Sequence, residues 1–148
     1  YSSAASDVYK RQVEVSITAP DTLLMIPMDI ILIEQVLINL MENAVQHGKT
    51  TTRIELRLSS AGGFAVFEVA DNGCGIEKEL LPHLFEGYLT RDQEEISDQR
   101  RNMGIGLSVC MSIVQAHGGT MRAENRKKGG ALLQFSLPLE ENSHEHQR

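Results

Sequence analysis

The sequence predicts an α+β domain, and three observations lead there. Alternating apolar and polar residues occur as two pairs of runs, 51–58 with 64–70 and 120–125 with 131–138, each pair joined by a short glycine-bearing turn. Two other stretches, 29–47 and 104–117, instead carry apolar residues at a period near 3.6 and so predict amphipathic helices. Finally, 148 residues with 41% hydrophobic content suit one domain around one core.

Composition excludes several classes of function. A formal charge of −6, with no basic cluster beyond Arg126-Lys127-Lys128, is the wrong sign for a nucleic-acid surface. Cys74 and Cys110 have no CxxC spacing, so neither a zinc site nor a disulfide framework is expected, and a reducing, cytoplasmic setting is. The longest mainly apolar stretch, 30–45, is interrupted by Glu34, Gln35, Asn39, Glu42 and Asn43, so no transmembrane or signal segment is predicted.

Residues 1–12 show no sustained period and are read as a non-core or non-native segment, leaving a domain over 13–139 and a polar tail over 140–148 whose His144 and His146 are solvated. Val13, Val15 and Ile17 alternate as a strand. A second short run, Leu23-Leu24-Met25-Ile26, follows the Pro20-Asp21 turn and is expected to pair with it. Asp29 is the N-cap of a helix that runs to His47 and stops at Gly48. One side of that helix is apolar (Ile33, Val36, Leu37, Leu40, Ala44). Another stripe holds Gln35, Asn39, Glu42, Asn43 and Gln46, with no lysine. Asparagine lowers helix propensity, so two of them one turn apart on a solvated face call for a reason. Their amide oxygens suit a hard cation such as Mg²⁺.

The second hairpin strand, 64–70, runs into Asp71-Asn72-Gly73-Cys74-Gly75. A carboxylate at a strand end is a fixed acceptor, suited to a purine amine, and two nearby glycines let a flat ligand approach. Residues 77–84 read as a short helix containing Pro82, and the charged, apolar-poor 85–102 as a long mobile loop of the lid kind. Gly104-Ile105-Gly106-Leu107-Ser108 is then expected to open a helix ending at Gly118-Gly119, with free backbone N–H groups at its positive end to hold phosphate. It is neither a Walker A loop, since no Gly-Lys-Ser/Thr follows, nor a dinucleotide fingerprint, since charged loop precedes it.

Taken together and in order, these pieces resemble the catalytic domain of histidine kinases. Asn39-Leu40-Met41-Glu42-Asn43-Ala44 is similar to the N box, Asp71 to Gly75 to the G1 box, Phe85-Glu86-Gly87-Tyr88 to a shortened F box, and Gly104 to Leu107 to the G2 box. The resemblance implies a two-layer α/β sandwich, a mixed and mostly antiparallel sheet packed on three helices, the ATP-binding fold shared with gyrase and Hsp90. Residues 100–110 and the ending from Gly129 to Glu140 are most similar to the potassium-responsive Kdp sensor kinases.

Roles follow from the resemblance. Asp71 would bind the adenine amine, with Gly73, Gly75 and Ile76 beside the base and Tyr88 in the nucleotide site. Asn43 would ligate Mg²⁺, with Asn39 toward the phosphates. Gly104, Ile105, Gly106 and Leu107 would line the phosphate contacts, and a lid arginine, Arg91, Arg100 or Arg101, would reach the γ-phosphate, Arg101 being taken as catalytic with Asn39 and Asn43. Gln46-His47 replaces a common Lys-Tyr pair, removing one cationic phosphate contact and leaving His47 near the ribose. Asn102 and Ala131-Leu132 also depart from the family pattern. The implied activity is transfer of the γ-phosphoryl of Mg-ATP to a histidine on a separate dimerisation domain of the same sensor, then to a response regulator. This part would lie in the cytoplasmic portion of a membrane-anchored protein without touching the membrane. A serine-protein kinase of the anti-sigma-factor type and a non-catalytic nucleotide-sensing module are the alternatives on the same fold.

Overall fold

A computed structural model describes residues 12–86 and 98–141, and of 98–105 the backbone alone. The segment 1–11, Tyr88, Arg91 and the rest of 87–97, and His144 and His146 in the tail lie outside the described residues. Five strands form one sheet in the order β1-β2-β3-β5-β4: β1 Glu14–Thr18, β2 Arg53–Ala61, β3 Phe64–Asp71, β4 Met121–Asn125 and β5 Ala131–Pro138. The β1–β2 pair is parallel and the other three are antiparallel, so the sheet is mixed and mostly antiparallel as expected.

Two α-helices, α1 Ile30–His47 and α2 Asp98–Ala116, pack against one face of the sheet. That face follows from alternation. Ile54, Val69, Leu133, Phe135 and Leu137 point into the core, while Glu55, Arg57, Glu68 and Gln134 fall on the opposite side. Ile33, Val36, Leu40 and Ala44 of α1 meet Leu107, Cys110 and Val114 of α2 over this surface. At the centre the rings of Phe67 and Phe135 stack with centroids 4.6 Å apart. Asp29 caps α1, its Oδ1 accepting from the Leu32 N–H at 3.1 Å. The ends of the two helices are tied by His117, whose Nε2 accepts from the Asp29 N–H at 3.0 Å. Its Nδ1 therefore carries the hydrogen and donates to the Ile113 carbonyl at 2.8 Å.

Three expectations are corrected. Residues 23–26 form no strand. β1 instead pairs in parallel with β2, Val15 opposite Ile54, and the segment bounded by Pro20 and Pro27 carries Ile26 to the core without a ladder of its own, Met28 following just after it. Residues 77–84 form turns and a 3₁₀ turn, Leu81–His83, because Pro82 at its start supplies no N–H, so the described residues hold two α-helices where three are expected. Lastly, α2 begins at Asp98, so Gly104 and Gly106 lie inside the helix rather than at its opening, and residues 98–102 of the expected loop are helical.

Candidate functional site: a cavity beside a clamped Asp-Asn-Gly turn

The polar stripe of α1 forms one wall of a cavity of about 210 Å³, lined by Asn39, Glu42, Asn43, Gln46 and His47, with Gly106 and Leu107 of α2 opposite. The helical period alone brings the α1 groups together, since positions 39, 42, 43 and 46 share a side. Asn39 is half-buried and engaged within the protein. Its Oδ1 accepts from Gln35 Nε2 at 2.9 Å and its Nδ2 donates to Cys110 Sγ at 3.5 Å, and burial pushes that Cys110 thiol above its usual value. Asn43, one turn on, has no hydrogen-bond partner among the described residues. Burial, and then the nearby charge of Lys49, lower the pKa of His47 below its usual 6.5, which favours the neutral imidazole on the cavity wall.

The Asp71–Gly75 turn docks against the end of α1. The Cys74 N–H donates to the Gly48 carbonyl at 3.0 Å, and Cys74 Sγ lies 3.4 Å from the carbonyl of His47. Gly48 ends the helix in an ordinary right-handed conformation, φ −71°, so freedom of φ is not its purpose. A Cβ there would overlap the Thr51 hydroxyl, which is fully buried and donates to the Ala44 carbonyl at 2.8 Å. Gly73 faces the same neighbours, Thr51 Oγ1 and the Gly48 carbonyl, so its bare Cα lets the turn close onto the helix end.

Asp71 is 4% exposed. Its Oδ1 accepts from the backbone N–H groups of Gly73 at 2.8 Å and Ala131 at 3.3 Å, while Oδ2 accepts from none of the described residues. A buried carboxylate with one oxygen bonded to the backbone and the other unclaimed is a fixed acceptor for a ligand donor. Ile76 is buried and held by Asn125, whose amide accepts from its N–H at 2.7 Å and donates to its carbonyl at 2.8 Å. Asn72 turns away to β2, accepting from the N–H groups of Thr52 and Arg53 at 3.0 Å each.

Of the residues singled out in the sequence, Asn39, Asn43, His47, Gly106 and Leu107 thus meet at the cavity, whereas Asp71, Gly73, Gly75 and Ile76 do not line it and belong to a turn fastened to the end of α1 through the bond from Cys74 to Gly48. Gly104, Ile105 and Arg101 lie in the first turns of α2, and Tyr88 is outside the described residues. Sequence reading did not assign Thr51, Asn125 or Arg126 to the site: Arg126 figured only in a basic cluster, Ala131 only as a departure from the family pattern, and Asn125 left a trace as an asparagine ending a strand pattern where such residues are depleted.

Comparison with known proteins agrees with this geometry. A family model described as "Histidine kinase-, DNA gyrase B-, and HSP90-like ATPase" matches residues 28–141. The chain is 39% identical over 135 residues to "Sensor protein KdpD" of Clostridium acetobutylicum, matching 91% of this chain and 15% of that protein. The chain therefore spans a small part of that relative's length. Its fold is similar to the catalytic domain of the histidine kinase ThkA, with TM-score 0.70, 26% identity, and coverage of 90% of this chain and 83% of that one. ThkA also has a structure in complex with the response regulator protein TrrA, where the TM-score is 0.67 at 25% identity, with 90% of this chain and 36% of that one covered. Full-length ShkA in complex with AMPPNP is similar too, with TM-score 0.70 at 26% identity, over 90% of this chain and 27% of that one.

Proposed function

The chain belongs to the histidine kinase-, DNA gyrase B- and HSP90-like ATPase family, and from that premise we propose that it binds Mg-ATP and presents the γ-phosphoryl to a histidine on a separate dimerisation domain of a sensor kinase. A response regulator is the proposed onward acceptor, as the ThkA–TrrA complex suggests by analogy. Within the family the proposed branch is that of KdpD, a relative that matches 91% of this chain.

The observation that carries the reading is the Asp71 Oδ2, unclaimed among the described residues, on a turn docked against the end of the helix whose polar stripe, with an Asn43 amide unpartnered among the described residues, walls the cavity. Asp71 would accept from the exocyclic amine of the base. The cavity between α1 and α2 would take the phosphates. The donor set fits a magnesium ion of the kind that keeps phosphate and water ligands: Asn43 offers a neutral oxygen, and the described residues contain no cluster of three or more His, Cys, Asp or Glu that could hold a metal unaided. Bound with nucleotide, magnesium would supply charge neutralisation of the phosphates. The chain's own contribution is positioning, with neutral His47 and Gln46 on the wall adding no cation. Phosphoryl transfer asks for little more than alignment and charge stabilisation from the protein.

No helix among the described residues is long and apolar enough to cross a membrane. Any anchor of the proposed sensor would lie elsewhere in it. The reading is tested by incubating the chain with labelled Mg-ATP, alone and with the proposed dimerisation segment added as a separate polypeptide. Binding without self-labelling, followed by acid-labile, base-stable label on a histidine of the added segment, is expected. Acid-stable label on a serine would replace the reading with a serine kinase on the same fold.

A further inference from the structure

The strongest set of contacts left unused by this reading lies at the turn between β4 and β5. Asn125 satisfies both backbone groups of Ile76, 49 positions away in sequence, as a neighbouring strand would. The clasp closes against a bare Cα, since a Cβ on Gly75, where φ is +81°, would stand 2.9 Å from Asn125 Oδ1. Next in the chain, Arg126 Nη1 donates to the Asp71 carbonyl at 2.8 Å. Its own backbone is braced by the Arg126 N–H donating to the Gly130 carbonyl at 2.8 Å and the Gly129 N–H donating to the Arg126 carbonyl at 3.1 Å. Gly130 then lies against the Asp71 carbonyl where any Cβ would overlap it, and the Ala131 N–H reaches Asp71 Oδ1. Residues 125–131 thus grip both ends of the Asp71–Ile76 segment.

We propose that Asn125 and Arg126 are positioning residues that set purine selectivity, by holding the Asp71 carboxylate so that Oδ2 faces only a donor at the exocyclic position of the base. The proposal rests on the nucleotide reading above and adds what enforces it. With Oδ1 bonded to Gly73 and Ala131, the carboxylate cannot rotate to accommodate a different base without breaking both bonds. An adenine amine donates to Oδ2. The hypoxanthine carbonyl at the same ring position would set one acceptor against another, and discrimination of this kind by a polar site is large because the mismatch leaves buried groups unpaired. That advantage lasts only while the turn is rigid. Once the clasp on Ile76 or the brace on the Asp71 carbonyl is lost, the turn can recede, which lengthens the amine bond and relieves the carbonyl clash together.

The guanidinium of Arg126 also borders a small hollow of about 100 Å³ on the opposite side of the sheet, with Glu55, Arg57 and Glu68. Its replacement therefore leaves the core between sheet and helices intact.

The test compares dissociation constants of Mg-ATP and Mg-ITP, measured by calorimetry on the 148-residue chain and on Asn125→Ala, Arg126→Met and Arg126→Lys. Wild type is expected to prefer ATP by about 100-fold, the size of effect that setting one buried acceptor against another gives. In Asn125→Ala and Arg126→Met, ATP affinity should fall by roughly tenfold while ITP affinity holds or rises, and Arg126→Lys should restore most of the preference, as the loss of one or two buried hydrogen bonds predicts. If Asn125→Ala does not fold, Arg126→Met and its lysine rescue decide the matter. A preference unchanged in the folded variants, or both nucleotides weakened alike, overturns the assignment and leaves a structural turn. A wild-type chain that binds neither nucleotide overturns the nucleotide reading itself, and the selectivity role falls with it.

Discussion

Replacing Asp71 by Asn tests the site at its most constrained atom pair. The side chain keeps its shape and loses its charge, and one of its two acceptors becomes a donor. In one orientation the amide oxygen stays on the Gly73 and Ala131 N–H groups, and the new NH₂ takes the place of Oδ2 and would face the amine of the proposed adenine. In the other, oxygen faces the amine and NH₂ meets two backbone donors in a site where the side chain is 4% exposed. Donor opposes donor either way. Trading a charge-assisted hydrogen bond for a mismatch of this kind costs about 2–3 kcal/mol, or roughly 30- to 150-fold in affinity. Thermal denaturation with and without Mg-ATP reads the result. At about 100 times the wild-type Kd a bound nucleotide stabilises by about 2.7 kcal/mol, which at this chain length raises Tm by roughly 5–10 °C. With Kd about 100-fold weaker, the same ligand concentration gives about 0.4 kcal/mol, a shift of roughly 1 °C. A folded Asp71→Asn chain with the full wild-type shift would remove Asp71 from the base site, whatever happened to the Tm without nucleotide.

Three further outcomes are expected. Asn43→Ala removes an oxygen from the cavity wall without breaking any hydrogen bond of the described residues, so it should weaken Mg-ATP binding by about 1–2 kcal/mol in calorimetry and leave metal-free adenosine binding nearly unchanged; equal losses would make Asn43 structural. The lowered pKa of His47 means that, as pH falls below the usual 6.5, the unfolded chain takes up a proton that the folded chain resists, so this contribution to stability is full above 6.5, declines below it and levels off under the folded value. The drop in Tm from neutral to mildly acid pH should therefore be smaller in His47→Asn, and an identical drop in both proteins would refute it. Gly106→Ala adds a methyl where no described residue lies within 4 Å, inside α2, so it should raise the Tm of the nucleotide-free chain through about 1 kcal/mol of helix propensity while weakening ATP binding if phosphate contact needs this part of the helix opened. A rise in both would show that Gly106 has no such role.

Much of the fold was legible because single-element patterns suffice for it. The alternation in 64–70 and 131–138 set both partners of the β3–β5 pair, and the apolar side of α1 named four of its buried residues, Ile33, Val36, Leu40 and Ala44. What failed required knowing what each element packs against. The 23–26 run has the composition of a strand, but Pro20 and Pro27 bound it, β1 pairs with β2 alone, and Ile26 reaches the core from a segment outside the sheet. Residues 77–84 have a helix-like content, but Pro82 and the lack of a capping side chain hold them to a 3₁₀ turn. The candidate site divides the same way. Its α1 wall could be read from one helical period, whereas Thr51, Asn125, Arg126 and Ala131 act on the Asp71 turn across gaps of 20 to 60 residues that no local pattern encodes.

The glycines show why residue type alone underdetermines a site. A glycine beside a carboxylate invites a ligand explanation, because a bare Cα permits close approach, but it does not say what approaches. At Gly73 the space is taken by Thr51 and Gly48, at Gly75 by Asn125, and at Gly130 by Asp71 itself, so each bare Cα serves contact between parts of the protein. At Gly106 no described residue occupies the space, although the residue lies in a helix where alanine would be more stable and on the wall of the cavity. Packing among the described residues accounts for the first three and not for Gly106. The motif that motivates a nucleotide site therefore does two different jobs: in the Asp71 turn its glycines build the rigid acceptor, and in α2 a glycine keeps one cavity wall free of a side chain. On the proposed reading, these are a rigid acceptor for the base and an open wall for the phosphates, the division that binding a nucleotide by its two chemically unlike ends would require.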